Sequence, residues 1–220
     1  MSQDEVASTR ESILSPVDRV SEVLFGLFMA LTFVGAVSIA DSGRNEIQEM
    51  LAAALGCNLA WGLVDAVMYV VRTIADRGRL LTLIHSVRGS DAEAGRALIK
   101  GSLSKVAAGL VSDTEVEAIR ARTLALPAVP ARPQLKIKDL LAALAVFLLV
   151  VASTLPVALP FVLTNDVELA KNSSRAIALV MLFLGGLALG RYAGYGSWKT
   201  GLMMTGLGAA VVTAVIALGG

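Results

Sequence analysis

Five stretches of this chain are each long and apolar enough to cross a lipid bilayer, and that pattern restricts the fold more than any other feature. A hydrocarbon core about 30 Å thick is crossed by roughly 20 helical residues rising 1.5 Å each. Segments at about 20–40, 47–71, 140–163, 176–192 and 200–218 meet that demand. Open sheet edges cannot face lipid, so the spans are helices. Composition agrees. Of 220 residues, 55% are hydrophobic and 17% charged, with a mean hydropathy of +0.71. A soluble domain has roughly 45–50% apolar and about 25% charged residues. The excess apolar surface requires lipid as its solvent.

The sequence therefore predicts an all-α integral membrane protein with five transmembrane helices and a helical insert between the second and third. Ser15, Pro16 and Asp18 form a helix start, with Ser-x-x-Asp in capping-box spacing. Residues 1–19 are polar and mixed in charge, without a cleavable apolar leader, so the first helix is expected to stay as a signal anchor. Residues 20–71 carry spans one and two, and 140–220 carry spans three to five. Residues 72–139 are hydrophilic. Ser90 with Glu93, and Ser112 with Glu115, mark helix starts there, giving helices at about 91–109 and 113–124. Residues 72–87 continue the second span outward, and Pro127, Pro130 and Pro133 make an extended linker back to the membrane. Pro156 and Pro160 are expected to break or kink the third span.

Orientation follows from cations. The N-terminal segment, the insert and the last turn hold sixteen of the nineteen Lys and Arg residues, twelve of them in the insert. The positive-inside rule then puts the N-terminus and insert in the cytoplasm and the C-terminus outside. The Ala-, Gly- and Arg-rich usage suggests a bacterial inner membrane. The basic insert lacks interleaved aromatics, which argues against nucleic acid and for anionic lipid.

Polar groups inside hydrocarbon are functional candidates because each costs insertion energy, about 2.5–3.5 kcal/mol for a central Asp. Asp65 stands near the middle of the second span, and Asn58 lies two turns earlier on nearly the same face. Trp61, Met68, Tyr69 and Arg72 are read onto that stripe. Glu22, Met29 and Phe33 share a face of the first span, with Thr32 and Ser38 nearby. Carboxylate, amide and thioether together suit a divalent metal ion, with oxygen donors for hard ions and sulfur for softer ones. Bland readings stand beside these. Asn58 can serve as an interhelical hydrogen-bonding residue, the methionines as packing, Glu22 as a headgroup neighbour, and Asp65 as the partner of Arg72. Cys57 reads as a small buried apolar residue, and His85 as a surface or packing residue. Gly185, Gly186, Gly190 and Gly194, with Gly201, Gly206 and Gly208, predict close packing of the last two helices. No catalytic constellation is present, so no enzyme and no resident cofactor are expected.

These pieces resemble the vacuolar iron transporter family. SEVLFGLFMALTFVGAVS is similar to its first helix, GLVDAVMYVVRTIADR to its second as it leaves the membrane, and STLPVALPFVL to its proline-bearing third. The stretch from LVMLFLGGLALG through GYGSWKTG to the final glycines is similar to its closing hairpin. The resemblance implies five membrane helices, a cytoplasmic helical insert and a homodimer; with the intramembrane carboxylate Asp65 among soft and neutral donors, the leading expectation is transport of Fe²⁺ or Mn²⁺ in exchange for protons. The family's first helix carries a Ser-Asp-Gly aspartate where this chain has Phe28, Met29 and Ala30. Its iron-transporting members also have glutamate-rich inserts, whereas Asp76, Asp91, Glu93, Asp113, Glu115 and Glu117 here face a dozen cations. The expected metal set is therefore Asp65 as main ligand with Asn58, Met29, Met68 and Glu22. The alternative is a non-transporting membrane scaffold or regulatory subunit of the same fold, whose cationic insert docks a partner or anionic lipid.

Overall fold

A computed structural model describes residues 14–37, 44–194 and 196–218. The N-terminal segment with Arg10, the end of the first expected span with Ser38, and Tyr195 of the closing turn lie outside the described residues. Among the described residues the chain is helical and contains no strand. The helices are α1 (Pro16–Val37), α2 (Arg44–Gly89), α3 (Ala92–Ser102), α4 (Lys105–Leu110), α5 (Asp113–Leu124), α6 (Ile137–Leu163), α7 (Val167–Ala193) and α8 (Ser197–Ala217). Five of them, α1, α2, α6, α7 and α8, are long and apolar enough to cross a membrane. The chain divides into two compact units, one up to Tyr69 and from Lys138 onward, the other Val70–Ile137.

In the first unit, α1 starts as its sequence predicts. The Ser15 amide and hydroxyl donate to Asp18 Oδ2 at 3.2 and 2.6 Å, and the Asp18 amide donates back to Ser15 Oγ at 3.1 Å. Two orphan groups of the first turn are satisfied reciprocally. Helices α1, α7 and α8 pack against one another most extensively in the unit. Their shared core holds Leu27, Leu31, Val34, Ala178 and Leu182, joined by Val157 of α6. Glycine allows the α7–α8 approach. A Cβ on Gly186 would stand 2.7 Å from Gly201 Cα and 2.8 Å from the Thr200 carbonyl. Phe183 and Trp198 lock the same hairpin edge to face, their ring centroids 5.0 Å apart. Gly194 (φ 74°) and Gly196 (φ 83°) make the turn in the left-handed region, where a side chain would be strained.

Helices α1 and α2 are each seated on α6 by a glycine. A Cβ on Gly26 would collide with Ser153 Oγ and stand 2.8 Å from the Val150 carbonyl. One on Gly62 would meet Phe147 at 3.2 Å. Leu144, Leu148, Leu155 and Leu159 of α6 stay exposed, as expected of a surface that faces lipid tails.

Three expectations need correction here. Pro156 and Pro160 do not break α6, which runs on to Leu163. Each proline withholds one N–H, which leaves the carbonyls of Ala152 and Pro156 without their usual donors while the helix continues. The fourth span begins nine residues earlier than its apolar run, at Val167, capped by Asp166, which accepts from the Leu169 amide at 3.1 Å. Glu168 and Lys171 lower the local hydropathy, but they pair at 2.5 Å within that first turn. The helix of the second span likewise starts at Arg44, inside what reads as a loop, although its apolar stretch begins at Ala54.

The second unit contains the outer part of α2 and α3 to α5. Its small core is Val87, Ile99 and Val116 with Leu83 and Val111 against it. Ser112 and Glu115 form the expected capping box at the start of α5. The other start differs. Asp91, not Ser90, caps α3 by accepting from the Ala94 amide at 2.8 Å, while Ser90 Oγ donates to the Val87 carbonyl. The helix expected over 91–109 is two helices, because Ser104 caps a new one by accepting from the Ala107 amide. Arg96 and Arg120 both bond Glu117, at 3.0 and 2.9 Å, and Lys100 pairs with Asp113. The proline linker returns along α2. Arg77 donates to the Gln134 carbonyl at 2.7 Å, Arg88 to the Leu124 carbonyl at 3.2 Å and also to that of Leu126, and exposed His85 meets the Pro130 carbonyl at 3.3 Å.

Candidate functional site

The first unit holds a cavity of about 870 Å³ between α1, α2 and α6, with Val215 of α8 at one end. On α1 its wall begins at Phe25 and reaches Ala36, and on α2 it runs from Leu51 to Trp61. Thr154, Val157, Ala158 and Phe161 supply the α6 side. Pro156 and Pro160 are outside this lining, although they sit in the same stretch of helix.

Asn58 is the polar centre of the wall. It is 5% exposed, and its Nδ2 donates to Thr154 Oγ1 at 2.7 Å. Thr154 in turn donates to the Val151 carbonyl at 2.9 Å, so its hydroxyl is a consistent acceptor for the amide. Asn58 Oδ1 is enclosed and takes no hydrogen bond among the described residues. An enclosed amide oxygen left without a donor costs about 1–3 kcal/mol. Thr32 Oγ1 donates to the Met29 carbonyl at 2.7 Å, which leaves its lone pairs free to face the cavity. Among the described residues the wall thus offers amide, hydroxyl and thioether acceptors and no charged group. An ion entering it would have to keep much of its water, since no fixed charge offsets desolvation.

The expected metal set is only partly assembled. Met29 and Asn58 line the cavity; Asp65, Met68 and Glu22 are outside the lining. Asn58, Gly62 and Tyr69 all contact α6, through Thr154, Phe147 and the Ala142–Val146 cluster respectively. Asp65 falls on that stripe by helical spacing. It is half-buried, as is Glu22, and each is engaged with neighbouring groups. Met68 points away, 42% exposed beside Val64 and Val71. Trp61 also leaves the expected stripe: it is 47% exposed and meets Phe25 of α1 edge to face, ring centroids 6.3 Å apart. Among the described residues no group of three His, Cys, Asp or Glu side chains could hold a metal ion.

Cys57 corrects another expectation. It is exposed and lines the cavity, where it had read as buried. Position 57 is adjacent to Asn58, so one step around the helix carries it off the α6 contact. Sequence reasoning missed Thr154 and Phe25 altogether. Thr154 reads as one hydroxyl in an apolar run, and only the register between α2 and α6 pairs it with Asn58.

These features define a helical integral membrane protein whose five-helix unit carries a largely apolar, partly open cavity with one buried amide in its wall. No known family model matches the chain, and no curated protein matches its sequence.

Proposed function

We propose that the chain is a membrane transporter of a divalent transition metal, Fe²⁺ or Mn²⁺, working as a homodimer and exchanging the ion for protons. The observation that carries this reading is the α1/α2/α6 cavity, which brings Met29 and Asn58 to one wall and ends about one helical turn from Glu22 and Asp65. In this reading the hydrated ion enters past Asn58 and Met29. Asp65 is the main ligand, Glu22 acts at the cytoplasmic mouth, and Met68 would take part only from a face shared with the second copy. The resemblance to vacuolar iron transporters supports the substrate class, and the cation distribution supports a cytoplasmic N-terminus and insert in a bacterial inner membrane. Growth of cells with and without the gene across Fe, Mn, Co and Zn tests it: altered tolerance to Fe or Mn is expected, and unchanged tolerance to all four would sink the reading.

A second reading is favoured by one observation, the lack of charge among the described residues that line the cavity. A protein of the same fold that no longer moves metal would act as a membrane scaffold or regulatory subunit. Its cationic insert would then dock a partner or anionic lipid.

A further inference from the structure

We infer that the Phe25–Trp61 ring contact is a gate that closes the cavity on the side of Glu22 and Asp65. The gate's purpose rests on the transport reading; its existence does not.

Phe25 is the first cavity residue on α1 and Trp61 the last on α2. The two helices are consecutive spans, so both rings stand at the same end of the cavity. They touch edge to face, with centroids 6.3 Å apart and planes at 70°. Beyond them, about one turn further along each helix, stand Glu22 and Asp65. The rings therefore stand between the cavity, whose described lining carries no charge, and the level of Glu22 and Asp65. An apolar pair at the mouth of a cavity can block ions by shedding water, without needing to seal completely.

The neighbouring residues fix the backbone and leave the rings free. Phe25 is followed by Gly26, and Trp61 by Gly62, the two glycines that seat α1 and α2 on α6. A Cβ on Gly26 would stand only 2.8 Å from the Val150 carbonyl, so the helix axis has little room to shift there. The rings themselves are 40% and 47% exposed, so they can swing outward about χ1. Opening is accordingly a side-chain rotation between pinned helices. Edge-to-face ring pairs are weak enough to part reversibly.

Cys57, the chain's one cysteine, lines the same chamber and is exposed, which makes it a built-in reporter. The full-length protein in sealed vesicles of known orientation is treated with a membrane-impermeant maleimide from one side at a time. The wild type should label from the side of the α1–α2 connection and resist label from the side of the α1 N-terminus. Phe25→Ala and Trp61→Ala should raise labelling from the resistant side at least about tenfold, while Trp61→Phe, which keeps a ring, behaves as wild type. Equal labelling of the wild type from both sides overturns the gate, as does failure of the reagent to reach Cys57 from either side. Both results are read without any variant, so a poorly folding alanine mutant leaves the test intact. Well-folded alanine variants with unchanged labelling overturn it too. One-sided labelling in a protein that moves no metal sinks the transport reading alone. Two-sided labelling in one that does sinks the gate alone.

Discussion

Asn58 donates its side-chain N–H to the hydroxyl of Thr154 at 2.7 Å, tying α2 to α6 across the wall of the cavity. Both residues are at least 95% buried, so neither partner can turn to water if the other is removed. Thr154→Val should destabilise the protein by about 1 kcal/mol, with Asn58→Leu/Thr154→Val recovering part of that loss. Reversible unfolding in mixed micelles, run as a double-mutant cycle, measures the coupling. Additive losses would show that the bond contributes nothing as a pair.

The hairpin of α7 and α8 makes a sharper contrast. Gly186→Ala places a methyl against backbone at Gly201 and Thr200, and nothing soft can yield, so a loss of about 1–3 kcal/mol is expected. Gly206→Ala adds a methyl into open space on a helix and should be neutral or stabilising by up to about 1 kcal/mol. Thermal melting of the two variants in detergent decides this, and equal melting temperatures would contradict the packing described.

Acid should loosen the second unit before the first. Hydrogen bonding from Lys100 holds Asp113 below its ordinary pKa, Ser112 does the same for Glu115, and Arg96, aided by Arg120, for Glu117. A carboxylate depressed in the folded state contributes stability that is fully present above its unfolded pKa and lost as pH falls through the folded value. The loss therefore starts around pH 4 and deepens below it. Amide hydrogen exchange on the full-length protein should show α3 and α5 losing protection across that window while α7 and α8 keep theirs. Asp113→Asn should flatten part of the pH dependence.

Arg88 donates to the carbonyls of Leu124 and Leu126, where the chain leaves α5 for the proline linker. Arg88→Ala should release that segment, seen as faster protease cleavage between 124 and 136 with the membrane helices intact. Unchanged cleavage would mean that the prolines alone hold the linker.

The five spans were legible because lipid imposes one rule, a run of apolar residues of the right length, and α1, α2, α6, α7 and α8 obey it. Boundaries were less legible where local pairing offsets charge. Glu168 and Lys171 look like loop residues until their side chains meet on α7. Capping chemistry was read correctly at Ser112 and one residue early at Ser90, where Asp91 is the better acceptor for the first-turn amides. The cavity was barely legible. Asn58 and Met29 were candidates on chemistry, but their meeting with Thr154, Cys57 and Phe25 depends on interhelical register, which one chain's hydropathy does not encode. The outward turn of Met68 follows from the same register: once Asn58, Gly62 and Tyr69 face α6, residue 68 faces away.

Metal flux into proteoliposomes is the most direct measurement of the central claim. Purified protein, reconstituted around a metal-sensitive dye, should admit Fe²⁺ or Mn²⁺ well above protein-free vesicles, and Asp65→Asn should cut that flux at least about tenfold. Flux of neither ion above background would contradict the account. Asp65→Asn transporting as fast as the wild type would contradict the role given to Asp65.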